Sequence, residues 1–467
     1  MSQEFDERKD FLKETFRRFE RMMQTDEKSF FELDIYEKAL EVYLEKEDLI
    51  RALKVCNIGL EEYPYSLELM LGKANLLAER SDFDAALEVL ERASLFHPGD
   101  SDTLFTQASV FNLMGEYESA ISLFKDLLHS PIDRDEIYYQ IGQAYQNWEK
   151  YEEAITYYKR SIAINLNNEP ALYELAHCLD IVGKLETHLD YYQELVNRDP
   201  FSYLAWYNLG IAFSKLERYE DAVNAYEYAT LIKEDFASAY FNLGNSYMNM
   251  QAFELAIPNY MKVISEEGPQ PETYCCVGTC YEKLGKLDKA IEYYQKAVKL
   301  DEQWDDGWFG LGICMGELER WYEAVGFIRK AIKVSELNPD YWLALAEMEF
   351  KLGNMASSLE AFEKSVEIEP SNPEVWLKWS YAHFEQGNHG RALELIQAAI
   401  DDMPDEADLY YRAAAYLIQT GEYREALLHL EIALTLDYDA HIQLYDFFPD
   451  LEKQKALFRI IEQYKTK

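Results

Sequence analysis

A 34-residue period runs through this chain from Leu33 to Ala440 without insertion or deletion, and it leaves few folds open. Twelve consecutive blocks begin at Leu33, Leu67, Ser101, Asp135, Glu169, Tyr203, Ala237, Pro271, Asp305, Pro339, Pro373 and Ala407. The twentieth place is alanine in ten of the twelve, and the eighth is glycine or alanine in ten, as at Gly142, Gly210, Gly244, Gly278 and Gly312. The fourth place is usually a large aromatic, as at Tyr138, Trp206, Tyr240, Tyr274, Trp308, Trp342, Trp376 and Tyr410. A unit this short cannot bury its apolar face alone, so the blocks must stack on one another.

Each block reads as two helices. Places four, seven, eight and eleven recur at 3.6-residue spacing and form one stripe on a first helix. Glycine then often follows (Gly115, Gly183, Gly285, Gly353, Gly387, Gly421), where a left-handed cap is needed. The second helix carries alanine at places twenty and twenty-seven, small enough for close approach. Proline closes several blocks, as at Pro64, Pro98, Pro200, Pro370 and Pro404. The 36 tyrosines therefore read mostly as packing residues rather than a ligand-binding set.

The pattern Trp206, Leu209, Gly210, Phe213, Ala222, Tyr226, Ala229 resembles the tetratricopeptide repeat signature, as does Tyr274, Val277, Gly278, Tyr281, Ala290, Tyr294, Ala297. The resemblance spans all twelve blocks, and an all-repeat member of this length is expected from a bacterium. It implies an all-α, right-handed superhelical solenoid of helix-turn-helix units whose concave inner face binds partners. The expected division is a capping helix over 1–32, the repeats over 33–440, and capping helices over 441–467. In the first segment Phe5, Leu12, Phe16, Phe19 and Met23 share a helical face. A membrane-surface role for that helix is the alternative to a cap, and its acidic residues Glu4, Asp6, Glu7, Asp10 and Glu14 oppose anionic lipid.

Composition narrows the function. A formal net charge of −41 repels the phosphate backbone that nucleic-acid binding must neutralise, while a basic protein or peptide partner stays open. The N-terminus has charges where a signal peptide needs an apolar run, and no stretch approaches a membrane-spanning length, so a cytoplasmic protein is expected. The six cysteines lack disulfide-framework spacing. Cys275, Cys276 and Cys280 are the nearest thing to a metal or redox cluster, but Cys178, Cys280 and Cys314 share a place that is small in other blocks, so packing explains them. No phosphate loop, nucleophile elbow or zinc-helix pair occurs. Catalysis, a cofactor and a resident metal are accordingly not expected.

Two departures stand out. The eleventh place, normally apolar, is Glu349 in the tenth block and His383 in the eleventh, which predicts a hydrogen-bonded pair inside the stack, with a pH-sensitive or partner-contacting role as the alternative. His188 replaces the close-packing alanine of the fifth block and predicts a loosened helix crossing.

In the family that these blocks resemble, partners bind the first helices at places two, five, six, nine, twelve and thirteen. Blocks four to seven then present an amide and aromatic ladder: Tyr139, Gln140, Gln143, Asn147, Tyr173, His177, Tyr207, Asn208, Phe241, Asn242, Asn245 and Asn249. Carboxamides can both donate to and accept from a peptide backbone, and aromatics supply rigid contact area. Blocks ten to twelve present a drier strip of Leu343, Phe350, Leu377, Tyr381, Phe384, Tyr411 and Ile418, suited to an amphipathic helix or to the chain's own C-terminal segment. Lys378 and Arg412 sit where a carboxylate clamp places basic residues, but the accompanying asparagines are absent. The favoured function is a protein-interaction scaffold or adaptor holding extended or helical peptide segments. The alternative is a structural subunit of a larger assembly.

Overall fold

The structure is a computed structural model that describes residues 19–20, 30–449 and 455–465. Among these residues it is all helical, with 26 α-helices packed in consecutive pairs and no strand. Two compact units meet in sequence between Ala239 and Tyr240. The first helix of every block starts at the block's first residue, except in the fourth block, where Arg134 begins one residue early. The second helix starts at the seventeenth place in eleven blocks, from Leu49 through Tyr423. Each block is thus one physical repeat.

Three recurring interactions build the repeat. At the turn between helices, the fifteenth place has positive φ in all twelve repeats. Six are glycine, but Glu47, Ser81, Glu149, Glu217, Gln251 and Glu319 adopt the same left-handed conformation at φ 57–60°. The bend is therefore imposed by the packing of the pair, and glycine only relieves it. At the fourth place the aromatic ties its polar atom to the preceding turn. The Nε1 atoms of Trp206, Trp308, Trp342 and Trp376 donate to carbonyls six residues earlier at 2.8–3.0 Å, and Tyr410 Oη does so to Pro404. This explains why the place favours tryptophan and tyrosine over phenylalanine.

The third interaction crosses the pair. Tyr158, Tyr226, Tyr260 and Tyr294, at the twenty-fourth place, are buried with their rings against the eighth place. There Gly142, Gly210, Gly244 and Gly278 leave room: a Cβ on any of them would lie 2.5–2.9 Å from the ring. Each hydroxyl is satisfied by the first helix of its own repeat. Tyr158 donates to Gln146 and Tyr260 to Asn245, both at 2.6 Å; Tyr294 donates to Glu282 at 2.8 Å; Tyr226 pairs with Ser214 at 3.2 Å.

Repeat five departs from this plan at the position His188 marks. Its second helix begins only at Leu189, after a 3-10 turn over Glu186–His188, and runs 10 residues instead of 14. The half-buried His188 turns its Nδ1 to the Lys184 carbonyl at 2.9 Å. Here the eighth place is Ala176 rather than glycine, and the buried hydroxyl of Tyr192 has no partner.

The ends of the described chain pack on the repeats. Phe19 is buried with its ring 5.2 Å from Phe31 and 5.3 Å from Tyr36, edge-on to both. Phe5, Leu12, Phe16 and Met23 lie outside the described residues. Leu444, Phe448, Leu457 and Ile461 join the core that begins at Val325.

Two substitutions in repeat six should move stability in opposite directions. Gly210→Ala drives a methyl to 2.5 Å from the Tyr226 ring and should cost about 1–3 kcal/mol as overpacking. Glu217→Gly at φ +58° removes a left-handed cost of roughly 1–2 kcal/mol, less roughly 0.4–1 kcal/mol of glycine entropy, for a small net gain. Chemical denaturation with hydrogen exchange checks both, and equal or inverted signs would refute the packing assignment.

Candidate functional site

The first helices of neighbouring repeats share a face, and the places that face outward differ in kind along the chain. In the unit before Tyr240 the amides of the ladder are largely engaged with their neighbours. Gln140 donates to Glu136 at 3.0 Å, Gln143 to the Tyr139 hydroxyl at 3.3 Å, and Asn147 to Asn112 at 3.2 Å. Tyr173 and His177 are exposed. Tyr207 is half-buried, its ring 5.8 Å from Tyr226 and 4.8 Å from Phe236. Asn208 was expected on the open face and is instead only 1% exposed; its Nδ2 donates to the Leu204 carbonyl at 2.9 Å.

In the unit from Tyr240 onward, Phe241 lies 5.7 Å from the Tyr260 ring and Asn242 is half-buried. Asn245 is half-buried and accepts from Tyr260, and the exposed Asn249 donates to the Asn245 carbonyl at 3.0 Å. Places nine and twelve therefore do structural work wherever a tyrosine hydroxyl reaches them. The sequence signal was present, since tyrosine at place twenty-four accompanies an acceptor at place nine or twelve in these repeats.

The apolar strip changes more. Tyr411 (0% exposed), Phe384 and Ile418 are core residues, not open ones. Tyr411 donates to the Asp437 carbonyl at 2.7 Å, and Phe384 stacks flat on Tyr416 at 4.3 Å. The reason is the C-terminal segment, which covers the last repeat. Its Phe447 ring stands 6.5 Å from Tyr381, 6.4 Å from Phe384 and 5.9 Å from Tyr416, with the Arg412 guanidinium 5.0 Å away. Leu343, Phe350 and Leu377 remain half-buried and Tyr381 exposed.

Beside Phe447 lies a cavity of about 890 Å³. Phe350, Leu377, Tyr381 and Phe384 line it together with Ile313, Met348 and Phe447, and Glu317, Glu347, Glu385 and Asp446 ring it with Lys351, Lys378 and Arg412. The two basic residues at the clamp-like place are engaged within the protein. Lys378 pairs with Glu347 and, at 2.6 Å, with Glu374. Burial pulls its pKa down, but these two carboxylates outweigh it and hold the ammonium above the usual lysine value. Arg412 donates to the Leu377 carbonyl at 3.2 Å.

The six thiols are buried or nearly so. Burial pushes Cys56, Cys178, Cys276, Cys280 and Cys314 up to about 12, far from thiolate reactivity at neutral pH. Among the described residues no group of three or more His, Cys, Asp or Glu is placed to hold a metal ion, and no helix is long and apolar enough to cross a membrane.

Glu349 and His383 do not pair. The Glu349 carboxylate, 2% exposed, takes Arg329 Nη2 at 2.6 Å, Asn354 Nδ2 at 2.7 Å and Ser357 Oγ at 3.2 Å. Arg329 comes from the second helix of repeat nine, so the carboxylate turns back toward the preceding repeat, where a cation reaches it. The His383 ring instead packs 6.4 Å from Trp379, and its Nδ1 is buried without a partner, like that of His429.

These geometries predict that Arg329→Ala and Glu349→Leu should couple by about 1–3 kcal/mol in a double-mutant cycle, whereas Glu349 and His383 should show no coupling. Burial, helped at His383 by the Arg391 cation, lowers the pKa of both histidines from 6.5; at His429 burial outweighs the opposing Glu425. The unfolded chain then binds more protons, so their contribution is complete above 6.5 and is lost as pH falls through 6.5 toward the folded values. Denaturation at about pH 7.5 and about pH 5.5, followed at tryptophan, should show weaker C-terminal repeats in acid, with the loss reduced in His383→Phe and His429→Leu.

Comparison with known proteins places these repeats. Family models described as tetratricopeptide repeat match residues 71–137, 136–168, 237–267, 271–303, 316–373 and 377–441, and a further TPR repeat model matches 212–251. Among curated proteins no sequence matches the chain. Among solved structures it is similar to the crystal structure of the APC/C hetero-tetramer Cut9-Hcn1, at 14% identity and a TM-score of 0.42 over 82% of this chain and 96% of that one. It is also similar to YrrB, a TPR protein with an unusual peptide-binding site, at 20% identity and a TM-score of 0.33 over 39% of this chain and 95% of that one. With the period, the paired helices and the family models in agreement, this chain belongs to the tetratricopeptide-repeat proteins.

Proposed function

We propose that this protein is a non-catalytic interaction scaffold that holds extended or helical peptide segments of other proteins on the face of its first helices. One observation carries the reading: the cavity of about 890 Å³ beside Phe447, with an apolar floor and a polar rim. That is the anatomy of a site that buries one or two large side chains and leaves the flanking residues wet. Phe447 supports it, because the chain's own aromatic already sits on the Tyr381, Phe384 and Tyr416 rings. In the unit before Tyr240 the exposed ladder residues Tyr173 and His177 offer a second contact region on the first helix of repeat five. The segments 1–32 and 441–467 serve as caps that keep the terminal repeats from stacking on other molecules. Six free thiols support a reducing compartment, the cytoplasm.

The test is capture of partners from the native cell, followed by affinity measurement with the purified partner. The double variant Phe350→Ala with Tyr381→Ala should weaken binding at least about tenfold with helicity unchanged. An unaltered affinity would remove the cavity from the binding surface. If capture survives that variant but is lost when the exposed second-helix residues Leu95 and Tyr322 are changed to serine, the protein is instead a subunit joined to an assembly through its outer surface.

A further inference from the structure

We infer that the cleft between the first helices of repeats five and six is a receptor for a guanidinium group, the side chain of an arginine in a partner segment. The inference rests on the reading of the first-helix face as a peptide-binding surface, and it names the chemistry that this part of the face selects. A cavity of about 480 Å³ is lined there by Glu169, Pro170, Tyr173, Glu174, Tyr207 and Asn208. The lining holds two carboxylates, two phenol rings and one carboxamide, and no cation.

Asn208 supplies the decisive detail. The residue is 99% buried, its Nδ2 is already spent on the Leu204 carbonyl, and its Oδ1 is buried with no hydrogen-bond partner. A desolvated carbonyl oxygen without a donor is costly and uncommon, and in the lining of this cleft it is an acceptor that an N–H of a bound molecule would satisfy. Glu174 is held in place by Gln146 Nε2 at 2.7 Å, which engages Oε2. Gln146 is fixed in turn by the Tyr158 hydroxyl at 2.6 Å and the Cys178 thiol at 3.2 Å on its Oε1. Tyr207 is braced by the Tyr226 and Phe236 rings, whereas Tyr173 is 55% exposed and presents an open aromatic face.

The ligand follows from this inventory. An anion meets two carboxylates, and an apolar anchor leaves the Asn208 oxygen unsatisfied. The match is a cation with several N–H donors that also lies flat on an aromatic ring. A guanidinium has five donors in a planar fork and stacks on tyrosine; a lysine ammonium concentrates three donors at one point and stacks poorly.

The experiment uses the full chain and three short probes, acetyl-Gly-Arg-Gly-amide and its lysine and citrulline counterparts, titrated calorimetrically and by saturation-transfer NMR. Salt is kept near 0.15 M, where screening over about 8 Å removes most of the long-range attraction of the acidic surface. The arginine probe should bind saturably at one site, at least about tenfold tighter than citrulline and several-fold tighter than lysine. Glu174→Gln and Tyr173→Ala should each weaken it about fivefold or more. Glu91→Gln, an equal charge change on an exposed second-helix residue, should leave it unchanged. Equal binding of citrulline, equal binding of lysine, or equal losses from Glu91→Gln and Glu174→Gln would each overturn the guanidinium receptor. Because these readouts do not involve the cavity beside Phe447, failure here with partner capture still sensitive to Phe350 and Tyr381 sinks this inference alone.

Discussion

The contact between a buried tyrosine at place twenty-four and a glycine at place eight sets the geometry of the central repeats. A ring is thick, and two helices can close over it only where the facing helix presents no Cβ; at Gly142, Gly210, Gly244 and Gly278 a methyl would lie within 2.9 Å of the ring. Where the glycine is replaced by alanine, the partner at place twenty-four usually changes as well. Ala74 goes with Leu90, Ala108 with Phe124, Ala346 with Phe362 and Ala414 with Leu430. The two places behave as one volume-sharing unit, as close packing demands. Serine can stand in for alanine at the crossing because its hydroxyl reaches a carbonyl across it: Ser358 Oγ donates to Ala346 O at 2.8 Å.

Tyrosine at this place brings a hydroxyl into a dry crossing, and that hydroxyl dictates part of the outer face. Gln146, Asn245 and Glu282 accept from it, so residues that a groove could spend on a ligand are recruited to satisfy the core. Repeat five breaks both halves of the rule. Ala176 faces Tyr192, the hydroxyl finds no acceptor, His188 displaces the crossing alanine, and the second helix starts late. The first helix of that same repeat carries Glu169, Tyr173 and Glu174, the residues of the cleft against Asn208. The cleft proposed above thus lies in the repeat whose interior is least regular, and strain and unsatisfied groups tend to gather at functional sites.

The period made the helices legible almost to the residue, because twelve copies average out the local ambiguity that blurs a single helix boundary. Side-chain direction on the outer face was less legible. Asn208 and Tyr411 occupy groove places by count, yet both are buried. Tyr411 donates to the Asp437 carbonyl at the end of its own repeat, and the segment Leu444–Phe447 packs on the same first helix; nothing in the period encodes that segment. For Glu349 the sequence revealed that a carboxylate would be buried but not which neighbour would satisfy it. Equivalent places suggested His383 in the following repeat, while the side chain turns back to Arg329 in the preceding one. Stacking gives each side chain two neighbours, and charge rather than register chooses between them.

The same competition shapes the acidic surface. With 86 acidic and 45 basic residues, carboxylates outnumber the cations that could pair with them, and several described lysines and arginines are held by carboxylates of the chain itself. Lys184 pairs with Glu152, Lys215 with Asp180, Lys378 with two glutamates and Arg329 with Glu349. Exposed pairs of this kind add little stability, but each one removes a cation from the pool that could answer an acidic partner. Carboxylates lie beside aromatic rings such as Tyr173 and, together with Lys351, Lys378 and Arg412, around the apolar cavity next to Phe447. On the function proposed above, a segment that brings its own cations would meet carboxylates on such a surface, whereas an acidic segment would meet like charge. Under the scaffold function proposed above, the net charge of −41 would rank protein partners, favouring segments in which basic residues flank an aromatic or aliphatic anchor.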